Sequence, residues 1–254
     1  MGMKPDPTVA DVLPGPLVSN NTVTTNSSEC NNSSVYIEIN KTIDSGDDIN
    51  TESVFCKGLC LISAVKHGCI KDIEFLILHK ADLNVNYQGM TALRYAIEYD
   101  TDISIVKLLL EKGADPNVKD NIFEETALIS ALSKGQMEVA KLLIEKGADP
   151  NVIDENNGKT VLMLAVTTGQ MEVAKLLLEK GADPNVKDNI FKETALISAL
   201  SKGQMEVAKL LIEKGADPNV IDENNGKTVL MLAVTTGQME VAKLLLEKGA
   251  DPNV

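Results

Sequence analysis

The chain has 254 residues, with 24 lysines and arginines against 37 aspartates and glutamates and a formal net charge of -13. This acidic balance argues against nucleic acid or an anionic membrane surface as the main partner, because both require a basic face. Aromatic residues make up 3% of the chain, and His67 and His79 are its two histidines, so base stacking and histidine-based catalysis are poorly supplied. No apolar run approaches the roughly 18 residues of a membrane span, and no secretory signal is visible. We therefore expect a cytoplasmic chain with neither a nucleic-acid nor a membrane partner.

Residues 1–51 differ in composition from the rest of the chain. Residues 19–34 in particular are polar, low in complexity and short of large apolar side chains. Such a segment buries too little surface to offset the conformational entropy that ordering would cost. We predict a disordered polar tail over residues 1–51.

The four cysteines all lie in the first 70 residues, as Cys30, Cys56, Cys60 and Cys69. A disulfide scaffold would spread its bridges through the fold, so we expect free thiols in a reducing compartment. Three of these cysteines and His67 have metal-ligand chemistry, but their spacing lacks the two close pairs of a structural zinc site. Small, partly buried thiols are expected instead, and no metal or cofactor is predicted.

From residue 52 onward the chain repeats itself. Alignment on the recurring Gly-Ala-Asp-Pro-Asn-Val gives six successive units of 33 or 34 residues: 52–85, 86–118, 119–152, 153–186, 187–220 and 221–254. A fixed period in this range is typical of solenoids built from one repeated supersecondary unit. Residues 119–186 and 187–254 also match each other at 67 of 68 positions, the exception being Glu124 against Lys192. We predict one repeat domain over residues 52–254, containing a nearly intact duplication of two units.

Within each unit the pattern predicts a helix, a turn, a second helix and an extended loop. In the fourth unit, Thr160 is placed to cap a first helix over residues 161–168. Apolar residues at helical spacing predict a second helix over residues 170–180, after which Gly181 supplies a left-handed C-terminal residue. Each helix pair has apolar residues on two sides, which only stacked neighbours can cover.

These units resemble ankyrin repeats. In the fourth unit the matching residues are Thr160-x-Leu162-x-x-Ala165, Gly169, Val173-x-x-Leu176-Leu177 and Gly181-Ala182-Asp183-x-Asn185. The resemblance covers residues 52–254 and implies an all-α ankyrin-repeat solenoid of stacked helix-turn-helix units with extended finger loops. Near-identical repeats rich in Asn, Lys and Ile are similar in style to arrays of intracellular bacteria and large DNA viruses, which would place the chain in a host cytosol.

The units also depart from the family pattern. The usual Thr-Pro-Leu-His reads Thr126-Ala-Leu-Ile129 in the third unit and Thr160-Val-Leu-Met163 in the fourth. Packing by Ile129 and Met163 must therefore replace the family's buried histidine. Lys80 stands where a helix-ending glycine belongs, which costs about 1 kcal/mol if the left-handed conformation is kept. The first unit is therefore expected to be a cap-like repeat.

Two patterns could suggest metal binding or catalysis. Asp154-x-Asn156-x-Gly158 is superficially like a calcium loop, but it lacks the further oxygen ligands and the terminal bidentate glutamate. A turn stabilised by Asx hydrogen bonds is predicted instead. No phosphate-binding glycine loop and no Gly-x-Ser-x-Gly occurs, and no histidine follows His79, so a nucleophile in the later repeats would have no histidine base. We expect no enzymatic activity.

The remaining chemistry is that of the surface. Ankyrin arrays that bind proteins do so through finger tips and the end of the first helix, and the resemblance carries this role onto four units. The implied partner-binding residues are Ile122, Phe123, Glu124, Glu125, Ser133, Lys134, Glu155, Asn156, Asn157, Lys159, Thr167, Thr168, Ile190, Phe191, Lys192, Glu193, Ser201, Lys202, Glu223, Asn224, Asn225, Lys227, Thr235 and Thr236. The Ile122–Phe123 pair is either an exposed contact anchor or packed on the neighbouring finger, and the sequence leaves both open.

The predicted function is non-catalytic protein recognition through the finger loops and the concave helix face. A structural spacer or a self-associating scaffold is the alternative. The last unit repeats the fourth residue for residue, with no polar capping pair after it. We therefore expect that end either to fray or to stack on another chain, with these side chains partly facing water: Leu230, Val234, Val241 and Leu245.

Overall fold

The computed structural model describes residues 59–87, 89–121 and 124–253, with the side chains of residues 59 and 60 outside this description. The predicted tail over residues 1–51 lies outside it too. The described residues form twelve α-helices: α1 Leu59–Lys66, α2 Ile70–Leu78, α3 Ala92–Glu98, α4 Ile103–Glu111, α5 Ala127–Ser133, α6 Met137–Glu145, α7 Val161–Thr167, α8 Met171–Glu179, α9 Ala195–Ser201, α10 Met205–Glu213, α11 Val229–Thr235 and α12 Met239–Glu247. The two helices predicted in the fourth unit end within one residue of α7 and α8.

The helices stack in two layers. The first helices of successive units pack side by side from α1 to α11, and the second helices do the same from α4 to α12. A first helix is covered on both sides by its neighbours, so Ile129 and Met163 are 0% and 1% exposed. The prediction that these two side chains fill the core is therefore confirmed. The second helices bury only one stripe and form the outer layer.

Extended finger loops connect the units. In the fourth unit, β1 Ile153–Asp154 pairs antiparallel with β2 Lys159–Thr160. In the sixth, β3 Ile221–Asp222 pairs in the same way with β4 Lys227–Thr228. Each finger thus delivers the chain directly to the N-terminus of the next first helix.

Local backbone conformations follow the predicted capping pattern. The Oγ1 atom of Thr160 accepts a hydrogen bond from the backbone N–H of Met163 at 3.2 Å, which caps α7. Gly181 adopts the expected left-handed conformation, with φ of 94°. Lys80 keeps that conformation without being glycine, at φ of 64°. A lysine there carries the predicted strain of about 1 kcal/mol.

An asparagine ladder joins successive units. The Asn151 side chain accepts a hydrogen bond from the backbone N–H of Asp183 at 2.9 Å and donates one to the carbonyl of Gly181 at 3.2 Å. Both partners belong to the next unit, so one side chain satisfies two backbone groups across the junction. The same pair of bonds recurs at Asn117, Asn185 and Asn219.

A glutamine ladder joins the units at the opposite ends of the first helices. The Gln170 side chain donates a hydrogen bond to the carbonyl of Leu132, in the preceding unit, at 2.9 Å. Equivalent bonds are made by Gln136, Gln204 and Gln238. These carbonyls lie at helix ends, where each has spare acceptor capacity, so every glutamine adds one side-chain hydrogen bond across a junction.

The exposed face of the last unit differs in detail from the expectation. Val234 is 51% exposed and Leu230 is half-buried, as expected, but Val241 and Leu245 are both 0% exposed. The expectation for those two is wrong, because α12 packs on α10 and α11 and directs them inward.

The side chains that do face water are found by comparison with the identical fourth unit. Met231 and Leu246 are 43% and 48% exposed in the last unit. Their counterparts Met163 and Leu178 are 1% and 8% exposed, because the fifth unit covers them. The last described unit therefore presents an apolar face that is interior everywhere else in the duplication.

The expectation of free thiols is wrong for Cys69. This residue is buried and disulfide-bonded. Cys30 and Cys56 lie outside the described residues, and so does the side chain of Cys60. The cysteines therefore no longer support a reducing compartment.

Candidate partner-binding surface

The predicted partner-binding residues lie at the finger tips and at the ends of the first helices. Ile122 and Phe123 fall outside the described residues. None of the others is buried. Most are exposed, and the half-buried ones are Glu125, Asn157, Lys159, Thr167, Glu193 and Lys227.

The finger of the fifth unit presents two large apolar side chains to water. Ile190 is 57% exposed and Phe191 is 52% exposed. The sequence left open whether such an Ile-Phe pair is exposed or packed on the neighbouring finger. In the fifth unit the pair is exposed. Phenylalanine is among the residues enriched in protein interfaces, so the exposed pair is a candidate contact.

A buried aspartate holds this finger in shape. Asp188 is 2% exposed, and its Oδ1 accepts hydrogen bonds from the backbone N–H groups of Ile190 at 2.8 Å and Phe191 at 2.6 Å. Its Oδ2 accepts a third from the N–H of Glu193 at 3.2 Å. The sequence reasoning missed this role. The signal was an aspartate two residues before the turn, because Asx side chains bond backbone N–H groups shortly after them.

Neighbouring fingers fix the same loop from both sides. The backbone N–H of Asn189 donates to the carbonyl of Gly158 at 3.2 Å, in the preceding finger. The side chain of Asn224, in the following finger, donates to the carbonyl of Phe191 at 3.1 Å. Ile190 and Phe191 are therefore displayed on a loop whose conformation is set before any partner binds.

The hairpin fingers are braced by their own polar side chains. Asp154 is 3% exposed and its Oδ1 accepts from the N–H of Asn156 at 2.9 Å. The Asn157 side chain donates to the same carboxylate and accepts from the N–H of Lys159 at 2.9 Å. The predicted Asx-stabilised turn is confirmed. Asn157 is consequently a structural brace rather than a free contact group.

Buried charge joins the second and third units beneath the fingers. The Arg94 side chain is 4% exposed, and its guanidinium lies 3.1 Å from Glu98, 3.1 Å from Asp120 and 2.6 Å from Glu125. It also donates to the hydroxyl of Ser130. Burial raises the pKa of Glu125 from its usual range; Arg94 opposes this rise, but neighbouring carboxylates reinforce it. Glu125 is thus committed to the junction.

The junction between the fourth and fifth units, here called the duplicated junction, differs in chemistry from the one between the second and third. The fifth unit copies the third, but the unit that precedes it is different. Met163 occupies the register of Arg94, and Thr167 that of Glu98. There the Ser198 hydroxyl donates to Glu193 at 3.1 Å, and the Nζ of Lys202 donates to the carbonyl of Thr167 at 3.0 Å. Identical residues therefore have different partners in the two copies, depending on the unit that precedes them.

An aromatic pair lies at the end of the first helix of the second unit. Tyr99 is 59% exposed and its ring stacks on that of Tyr95, with centroids 4.2 Å apart and planes inclined by 25°. Tyr99 occupies the register of Lys134 and Thr168, both predicted contact residues. The sequence reasoning missed it because it drew its contacts from residues 119–254 alone. The register itself would have identified it.

The repeats are those of a known family. A family model described as ankyrin repeats matches three times, over residues 31–120, 105–188 and 187–254. The chain belongs to the ankyrin repeat family. Together with the stacked helix pairs, this match confirms the predicted all-α ankyrin solenoid. The first match begins inside the predicted tail, so the boundary at residue 52 stays a prediction.

Curated ankyrin relatives match parts of the array. The putative ankyrin repeat protein FPV031 of fowlpox virus is 37% identical over 87 residues, which is 34% of this chain and 26% of that protein. The KH-domain protein mask-1 of Caenorhabditis elegans is 40% identical over 79 residues, 31% of this chain and 3% of that protein. The predicted similarity to arrays of large DNA viruses is confirmed. The matched segments span about a quarter or less of these relatives.

Solved ankyrin structures superpose on most of the array. An ankyrin repeat domain from Acinetobacter baumannii aligns with a TM-score of 0.66 and 29% identity, covering 75% of this chain and 98% of that one. A chain from the complex of the endopeptidase Bd0816 of Bdellovibrio bacteriovorus with immunity protein Bd3460 aligns with a TM-score of 0.58 and 32% identity, covering 74% and 97%. The ankyrin domain of Bcl-3, at 24% identity, TM-score 0.66 and coverage of 84% and 91%, shares the fold.

The family bears on the class of function. Ankyrin repeats are protein-interaction modules, and the family is in general non-catalytic. Among the described residues, no three His, Cys, Asp or Glu side chains come together in a way that could hold a metal ion. Within the same ranges, every helix is too short or too polar to cross a bilayer.

Proposed function

We propose that this ankyrin array binds a protein partner, without catalysing a reaction on it, through its finger loops and the exposed ends of its first helices. The observation that carries the proposal is the pair Ile190 and Phe191, more than half exposed at the tip of a finger. Large apolar side chains at such a position favour contact with another protein over contact with water.

The support of the finger strengthens this proposal. Binding energy is lost when a loop must be ordered on contact, and a loop that is already held avoids that cost. Three backbone N–H groups bond to Asp188, and two neighbouring fingers bond to the same loop. The finger therefore presents Ile190 and Phe191 in a fixed conformation.

The charge of the array indicates the kind of partner. The repeat units 86–118, 119–152, 153–186 and 221–254 each carry a net charge of -2, and the whole chain carries -13. A partner with a basic face would be attracted, and its association rate would fall as salt rises. The compartment of this encounter, expected to be the cytoplasm, stays a prediction.

An affinity-capture experiment tests the proposal. The immobilised full chain and its Ile190→Ser/Phe191→Ser variant are compared, with proteins captured from a host-cell lysate quantified by mass spectrometry. At least one captured protein should fall by about tenfold or more, because anchor residues carry about 2 kcal/mol each. The control is Met205→Ser, which changes an apolar side chain 40% exposed on α10 of the same unit. Identical capture by all three chains, with unchanged thermal stability, would refute the finger as the binding site.

A further inference from the structure

Tyr95 in α3 and Tyr99, the residue that follows this helix, form a stacked aromatic platform. Tyr95 and Tyr99 stand one helical turn apart, and their rings lie 4.2 Å centre to centre. One face of the Tyr99 ring therefore rests on Tyr95, while the side chain as a whole stays 59% exposed. Stacking holds the exposed ring in one orientation, so its ordering costs a ligand little.

Three acidic residues lie close to Tyr99 in the chain. Glu98 and Asp100 flank Tyr99 in the chain, and Asp102 follows at the start of α4. The N–H of Ser104 bonds to Asp102 and lowers the pKa of its carboxyl, so that group is ionised at neutral pH. The Asp100 carboxylate is held in place by the Gln136 side chain, which donates to its Oδ1 at 2.9 Å.

Two cations lie close to these carboxylates, and both are already engaged. Lys134 lies 3.1 Å from Glu98. Arg94 is enclosed beneath the finger with Glu98, Asp120 and Glu125. The local balance of exposed charge around Tyr99, counting its three carboxylates against Lys134, is therefore negative.

We propose that Tyr99, supported by Tyr95, is a docking site for an arginine side chain of the protein partner. A guanidinium is planar and stacks on an aromatic face, where the ring's negative quadrupole attracts it, and a net negative charge nearby favours a cation there. This inference rests on the proposed function, because it places the arginine on the partner that the finger loops also contact. It adds the chemistry of one contact and its position in the second unit.

The residues that occupy the position of Tyr99 in the other units explain why the site is confined to the second unit. The register of Tyr99 is occupied by His67, Lys134, Thr168, Lys202 and Thr236 in the other units. The two lysines repel a cation, and the two threonines offer no aromatic face. Only Tyr99 combines an open aromatic ring with neighbouring carboxylates among these six positions. A partner arginine would therefore fix the position of the partner along the repetitive array.

The test uses simple peptides, since the partner is not needed for it. The tyrosine rings of the full chain are labelled with carbon-13, and the chain is titrated with acetylated, amidated Gly-Arg-Gly or with Gly-citrulline-Gly, which has the same shape without the charge. The Tyr99 and Tyr95 ring resonances should move with the arginine peptide, with about fivefold weaker binding of the citrulline peptide. The ring of Tyr87, half-buried at the second finger, should not move.

Two substitutions separate the aromatic contact from general attraction to an acidic protein. Tyr99→Leu removes the ring without altering the net charge and should abolish the response of Tyr95. Tyr99→Phe keeps the ring and should retain binding of the arginine peptide, with an unchanged fold checked by its melting temperature. Equal shifts with both peptides, or an unchanged Tyr95 response in Tyr99→Leu, would overturn the arginine site. Either result would leave capture through Ile190 and Phe191 standing, because that assay does not depend on Tyr99.

Discussion

Replacing Arg94 with methionine tests whether the buried charges stabilise the junction between the second and third units. The guanidinium lies between three carboxylates, and the Asp120 side chain among them is 0% exposed. Removing one partner from a buried ion pair costs roughly 3–5 kcal/mol, because the opposite charge is left without compensation. The lower value is expected here. Met163 fills the same register in the duplicated junction at 1% exposure, so methionine fits the space.

The duplicated junction also predicts how the loss can be recovered. Besides Met163 at the position of Arg94, it has Thr167 at the position of Glu98. Adding Glu98→Thr to Arg94→Met removes one of the three carboxylates around the lost guanidinium. Because Lys134 still pairs with Glu98 at 3.1 Å, only a minor part of the lost stability should return. Urea unfolding gives the free energies, and hydrogen exchange in α3 and α5 locates the change. The volume-conserving Met163→Leu is the control, at under about 1.5 kcal/mol. A single variant that loses less than about 1 kcal/mol, or a double variant no better than the single, would refute this reasoning.

The near-identical copies supply matched controls for three further predictions. Gly158→Ala should lower the melting temperature more than Gly226→Ala, because a Cβ on Gly158 would lie 2.7 Å from the Cβ of Asn189, whereas one on Gly226 would meet nothing within 4 Å. Equal losses would show that the left-handed φ alone matters. Asn151→Ala should cost about 1–2 kcal/mol in urea unfolding by removing two bonds between units, while Asn253→Ala, whose bonds are within its own unit, should cost almost nothing. NMR titration should find the pKa of Glu125 above its usual 4.5, so its contribution to stability is present at low pH and is lost as pH rises through that pKa; a value at or below 4.5 would contradict the burial argument.

The sequence predicted the architecture because the repeated signals agree with one another. Apolar spacing, a capping threonine and a helix-ending glycine recur in register, so each unit confirms the next. The helices found at Val161–Thr167 and Met171–Glu179 reflect that agreement. The sequence left open whether Lys80 keeps the left-handed conformation, and the structure shows that it does, with φ of 64°.

Contacts between units were harder to predict, because they depend on how each unit is positioned on the next when the two stack. The period of α12 places Val241 and Leu245 on an apolar face, but only packing shows that this face points inward and that Leu246 faces water. The Arg94 cluster draws residues from two units separated by about 30 positions in the chain. Cys69 shows a further limit, because cysteine spacing alone does not decide whether two thiols meet.

The asparagine ladder has a consequence for how such a gene can change in length. At every junction the same motif of one unit bonds to the same motif of the next. When a two-unit segment is inserted or deleted, the units brought together can therefore form the same hydrogen bonds. Unequal recombination between the matching halves, 67 of 68 residues alike, would therefore yield a folded product of altered copy number. Each such event would move the Phe191 finger by two units relative to Tyr99, changing the distance between two contacts without altering either one.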